Sequence, residues 1–125
     1  MNLRARPLWL ALGGLLILLV IYLSLAPISI KVPVEEGDKL GHVAAYAALM
    51  LWFANLYGTL TRRGMFAIGF VALGVALEFV QGWTGYRTFE VADMVADALG
   101  VAVGWTLAPP RLPNFLRGVE NAFWR

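Results

Sequence analysis

The sequence predicts an all-α fold, a four-helix transmembrane bundle with a short C-terminal interfacial helix, and three observations lead there. Residues 7–26, 40–57, 65–83 and 91–107 form apolar stretches separated by short polar links, and a membrane-crossing helix needs about 20 mostly apolar residues. A chain of 125 residues that is 60% hydrophobic and 14% charged is too apolar for an ordinary soluble domain. Positive residues also alternate between the two sets of connections, as they do in a multi-pass protein.

The first stretch follows Arg4 and Arg6 and has the outline of a signal peptide. Its apolar run is long, however, and the small-residue site at Ala26 is followed by Pro27, so it reads as an uncleaved first span. The second opens on Gly37-Asp38-Lys39-Leu40-Gly41-His42 and continues to Tyr46. The third ends on Glu78-Phe79-Val80-Gln81. The fourth carries Asp93 and Asp97, then Gly100 and Gly104 at the small-xxx-small spacing that lets helices approach closely. Its start is ambiguous, because Thr88 suits a cap but has no capping-box partner.

Pro109, Pro110 and Pro113 end that helix, since proline lacks the amide proton and clashes with the preceding turn. Asn114 then suits an N-cap, and Phe115, Val119, Ala122 and Phe123 share one helical face. Residues 1–108 are thus expected to form the membrane domain and 109–125 a cytoplasmic amphipathic tail lying on the inner surface. A frayed tail is the alternative, because so short a helix is marginal in water.

Arg4, Arg6, Arg62, Arg63, Arg111, Arg117 and Arg125 fall on one side of the predicted topology. Lys31, Lys39 and Arg87 fall on the other, offset by Glu35, Glu36, Asp38 and Glu90. The positive-inside rule therefore puts both termini in the cytoplasm. Topology alone accounts for these arginines. The basic residues form no stripe, so no nucleic acid partner is expected. The chain has no cysteine, which removes disulfides, thiolate nucleophiles and Cys-ligated zinc.

Ionisable groups inside membrane spans are rare because burying a charge in hydrocarbon is costly. Asp38, His42 and Tyr46 form one helical stripe, Glu78 and Gln81 a second, and Asp93 and Asp97 a third. All three lie at the outer edge of the predicted bundle, below the link that contributes Arg87, with Trp83 and Tyr86 suited to the interface.

At these residues the chain resembles the VanZ-like family of bacterial membrane proteins. The pattern is Asp38-Lys39-x-x-His42-x-x-x-Tyr46, Glu78-x-x-Gln81, Arg87 and Asp93-x-x-x-Asp97-x-x-Gly100, within about residues 37–104. The resemblance implies a four-helix membrane domain and a link to resistance against the glycopeptide teicoplanin. It implies no reaction. Where this chain has Asp97 the family pattern more often has Asn, and two carboxylates one turn apart disfavour joint ionisation.

Two functional readings follow. In the first, Asp38, Lys39, His42, Tyr46, Glu78, Gln81, Arg87, Asp93 and Asp97 form a pocket for a cell-envelope amphiphile. Its ligand is then an anionic or polyprenyl-linked lipid such as a lipid-linked cell-wall intermediate, or a lipid-tailed glycopeptide antibiotic, with Lys39 and Arg87 engaging the anion. In the second, the site is an intramembrane hydrolase or transferase with His42, Glu78 and Asp93 as catalytic groups. No committed nucleophile is visible, so water has to attack. Proton-coupled transport is a weaker third reading, because the polar residues do not continue across the bilayer.

Plainer readings compete. Asp38, Lys39 and Arg87 suit solvated helix ends, and Glu78 and Asp93 suit ion pairs with Arg87 or Lys39 that clip helices together. No His-x-x-x-His or Glu-x-x-His pair supports a metal, and no cofactor is expected. Tyr57, Trp52 and Trp105 read as packing or interfacial aromatics and Asn55 as a polar helix-end residue. The oligomeric state stays open.

Overall fold

The computed structural model describes residues 3–26, 37–85 and 89–124, without the side chains of Gly37 and Asp38. Among them the chain is all helical, with no strand: α1 (Arg6–Leu25), α2 (Gly37–Leu56), α3 (Leu60–Thr84), α4 (Val91–Leu107) and α5 (Phe115–Phe123). Of these, α1 and α3 are long and apolar enough to cross a membrane. The sequence suggested four such helices. In the other two, polar residues and length intervene: Lys39, His42 and Asn55 dilute α2, and α4 has 17 residues with Asp93 and Asp97 among them.

The helices bury several polar side chains beside an apolar core that includes Leu49, Met50, Phe53 and Phe70, and present many other large apolar ones outward. Leu8, Leu15, Leu18, Ile68, Val95 and Leu99 are all exposed, whereas Glu78, Gln81, Asp93 and Asp97 are buried. The tightest pairing is between α2 and α4. A Cβ at Gly100 would stand 2.5 Å from the Val43 carbonyl oxygen, and one at Gly104 2.5 Å from that of Ala47. Only glycine at both positions allows the backbones so close.

Aromatic packing fills the other end. Phe53 of α2 stacks on Phe66 of α3 and both lie tilted against Phe70, and Trp52 lies edge-on to both Trp9 and Phe115 while its indole donates to the Trp9 carbonyl at 2.9 Å.

Polar contacts fix helix ends there. Ala5, the N-cap of α1, supplies no capping side chain, and Glu120 of α5 substitutes for one. Its carboxylate accepts from the backbone amides of Arg4 (2.8 Å) and Ala5 (2.7 Å) and from the Trp9 indole (2.7 Å), where a negative charge also meets the positive end of the helix dipole. Asn114 caps α5 by accepting from the Arg117 amide, as its position in the sequence suggests. Asn55 does more than decorate a helix end. Fully buried, it accepts from the Phe115 amide at 3.1 Å, and its carbonyl receives the Asn114 side chain at 2.9 Å. The segment is therefore held against the bundle. Leu116 and Glu120 face inward and Phe115, Val119 and Phe123 outward.

Candidate functional site

At the opposite end of the bundle, side chains of α2, α3 and α4 meet. Helical spacing puts Lys39 and His42 on one face of α2, and Glu90, Asp93 and Asp97 follow one stripe into α4 from its N-cap. The close α2 and α4 contact then brings the two rows together.

The Lys39 ammonium lies 2.5 Å from Glu90 Oε2 and 2.7 Å from Asp93 Oδ1. The second contact is an ion pair off the hydrogen-bonding angle, leaving the buried Asp93 Oδ1 without a hydrogen bond. His42 sits between two carboxylates. Its Nδ1 is 2.7 Å from Asp97 Oδ1 and its Nε2 is 3.7 Å from Asp93 Oδ2, beyond hydrogen-bond reach. The Asp97 side chain is 4% exposed and that of His42 is 23% exposed. When the imidazole is neutral, a carboxylate acceptor at Nδ1 selects the tautomer with its proton on Nδ1 and the lone pair on Nε2. A Cβ on Gly74 of α3 would fall 2.6 Å from Asp97 Oδ2, so the absence of a side chain there makes room for this carboxylate.

Glu78 reaches from α3 to the start of α4. Its carboxylate accepts from the Glu90 amide at 2.6 Å, satisfying a helix-end donor, and it is near enough to Asp93 and His42 to feel their charge. Of the helix clip expected from the sequence, the Lys39–Asp93 ion pair exists, while Arg87 lies outside the described residues. Lys39 takes Asp93 and Glu90, and Glu78 takes a backbone amide. Gln81, also buried, donates to the Ser24 carbonyl at 2.7 Å and so ties α3 to the end of α1. Tyr46 is buried where α2 meets Gly100, within electrostatic range of Asp97 and Glu78.

Lys39, His42, Tyr46, Glu78, Asp93 and Asp97 are thus neighbours, and Gln81 lies beside them at the α1 contact. Arg87, Tyr86, Thr88 and the Asp38 side chain lie outside the described residues. Sequence reasoning passed over Glu90 by counting it as a loop charge, although it falls three residues before Asp93 on the same stripe. Four carboxylates surround one lysine and one histidine, so the cluster as described is acidic.

Fold and cluster together define a helical protein with an apolar exterior and a charged centre built into one end of its bundle. The chain matches the VanZ/LLP1 family over residues 9–114 and belongs to that family. It is also similar to an uncharacterized protein of the fission yeast Schizosaccharomyces pombe, with 33% identity over 102 residues covering 78% of this chain and 60% of the relative. The chain therefore spans about 60% of that relative's length. A eukaryotic relative means that membership does not by itself assign the protein to a bacterium. No solved structure matches the chain.

Proposed function

We propose that the chain crosses the membrane four times with both termini inside, lays α5 on the inner surface, and uses the His42 cluster at the outer edge to bind the polar head of a cell-envelope amphiphile. The apolar outward surfaces of α1, α3 and α4 support the embedding. With 17 residues, α4 is about 25 Å long, a little under the hydrocarbon thickness, and it turns both aspartates inward. α2 keeps its charged residues at its N-terminal end and pairs closely with α4.

The observation that carries the reading is the convergence of Lys39, His42, Glu78, Glu90, Asp93 and Asp97 at one end of an apolar bundle, with His42 still partly open. Small residues and one or two hydrogen bonds suffice to hold short helices together, so this many ionisable groups exceed what packing requires. An anionic head group would take Lys39 from Glu90, the more exposed of its two carboxylate partners, while His42 and Asp93 read hydroxyl or amide groups. A lipid-linked cell-wall intermediate or a lipid-tailed glycopeptide fits this chemistry, which is how such a site would bear on glycopeptide resistance in a bacterial inner membrane.

A second reading, an intramembrane hydrolase or transferase acting on a lipid-linked substrate, is favoured by the pairing of Asp97 with His42. A buried carboxylate that fixes the tautomer leaves Nε2 able to take a proton from an attacking water.

Purification in native lipid, identification of the copurifying amphiphile, and comparison with His42→Ala and Glu78→Gln separate the two. Loss of the bound lipid in the variants, with no product from wild type, supports the binding reading. Retained lipid with a mass change made only by wild type supports the enzyme. Folded wild type that copurifies with no lipid selectively defeats both.

A further inference from the structure

We propose that the cleft between the start of α3 and the end of α4, at the end of the bundle opposite His42, binds a phosphate group. The cleft has a volume of about 260 Å³ and is lined by Arg63, Arg111, Trp105, Thr106, Pro109 and Pro110. That is small for a drug-sized ligand and suited to a single head group.

Arg63 makes the case. Although arginines at this end are explained generically by topology, Arg63 is buried, with 7% of its surface exposed. Its guanidinium donates through Nε to the Tyr57 carbonyl (3.0 Å), through Nη1 to that of Pro109 (2.8 Å) and through Nη2 to that of Ala54 (2.8 Å). Carbonyl dipoles orient it without neutralising it, and among the described residues no carboxylate pairs with it. A buried charge left without a counter-ion is costly. Of the five donors on a guanidinium, two remain.

Arg111, exposed, also lines this cleft, without a carboxylate partner among the described residues, while the Thr106 hydroxyl spends its proton on the Ala102 carbonyl. Arg63, held in place by three backbone carbonyls, offers the fork geometry of phosphate recognition, and Arg111 adds a second positive charge beside it. Trp105 and the prolines supply an apolar wall against which a lipid's glycerol would rest. Position favours a phospholipid of the inner leaflet, and the same chemistry serves a phosphate arriving from the cytoplasm. The site does not depend on what the His42 cluster does.

The test uses the full chain in nanodiscs of phosphatidylcholine, with or without a minor fraction of phosphatidylglycerol. Native mass spectrometry reads retained lipid, and thermal unfolding reads stabilisation by phosphatidylglycerol or by inorganic phosphate. Wild type should retain phosphatidylglycerol selectively, Arg111→Gln should weaken that retention about tenfold, and Arg117→Gln, a change of equal charge on the exposed face of α5, should leave it unchanged. Arg63→Lys, which keeps the charge and loses the fork, should weaken it further; if that variant does not fold, Arg111→Gln decides. Stabilisation by inorganic phosphate in pure phosphatidylcholine, lost in Arg111→Gln, assigns the site to a soluble phosphate. Response to neither ligand overturns the proposal, and so do equal losses in Arg111→Gln and Arg117→Gln.

Discussion

His42 is held at Nδ1 and open at Nε2, and Asp97 makes the difference between those two nitrogens. Replacing Asp97 by Ala leaves a largely buried donor without its acceptor, which costs about 1–3 kcal/mol. Asp97→Asn keeps an oxygen at the same place and should cost less than about 1 kcal/mol; asparagine is also the residue to which the family resemblance points. Chemical denaturation of both variants in one detergent checks the order, and equal losses would show that His42 does not depend on that oxygen. Gly74→Ala tests the same contact from α3, because the new methyl group would meet Asp97 Oδ2 at 2.6 Å. It should reproduce much of the Asp97→Ala loss without touching the cluster chemically. Most of these residues were legible in advance, since His42, Asp93 and Asp97 stand at helical spacing in apolar runs where a charge needs a reason. Glu90 was not, because a carboxylate just before a helix looks like any solvated cap. Arg63 was hidden for a related reason: charge patterning assigns a side to an arginine and says nothing of its depth.

Among the elements, α2 and α4 form the frame on which the cluster depends, and Gly100 with Gly104 sets their separation. Gly100→Ala or Gly104→Ala would press a methyl group against a backbone carbonyl, which cannot yield as a side chain can. Each should destabilise by about 1–3 kcal/mol, the range for overpacking a tight contact, and both should loosen the distance between Lys39 and Asp93. Unfolding midpoints measure the first effect; failure of either variant to lose stability would mean that the helices sit farther apart.

The sequence marked that small-residue face and placed the start of α5 at Asn114. The seat of α5 was not visible, because Asn55 and Glu120 are each one polar residue among many until the fold brings their partners within reach. Glu120 also makes the attachment of α5 sensitive to pH. Burial pushes its carboxyl up, and the donors from Ala5, Trp9 and Arg4 outweigh burial, so the group is held below its ordinary value of 4.5. A lowered value means that the ionised form favours the docked state. Docking is therefore complete above about pH 4.5 and weakens as pH falls below it. Proteolytic release of the α5 segment should rise over that acid range in wild type, and Glu120→Gln should show faster release at neutral pH with little further change. A pH profile shared by the two proteins would remove Glu120 from the latch.

Over the whole molecule, charge is divided between the ends of the bundle. Among the described residues, Arg4, Arg6, Arg62, Arg63, Arg111 and Arg117 gather with Glu120 at one end, and Lys39 faces Glu78, Glu90, Asp93 and Asp97 at the other. A soluble protein has no need of such a division, whereas insertion holds arginine-rich connections back in the cytoplasm and lets acidic ones cross. In the proposed topology α1 through α4 cross in alternating directions, so fixing one end fixes all. Two single substitutions in the cysteine-free chain test it. Thr84→Cys, at the His42 end, should react with a membrane-impermeant thiol reagent added outside intact cells. Gly118→Cys, on the exposed side of α5, should react only after the membrane is opened. If α2 and α4 dip into one leaflet and return, leaving α1 and α3 as the sole crossings, the two ends could not be separated by the bilayer in this way, and both sites would label from one side. Labelling of Gly118→Cys from outside and Thr84→Cys only after opening would invert the topology, moving the arginine cleft to the outer leaflet and the His42 cluster to the cytoplasmic one.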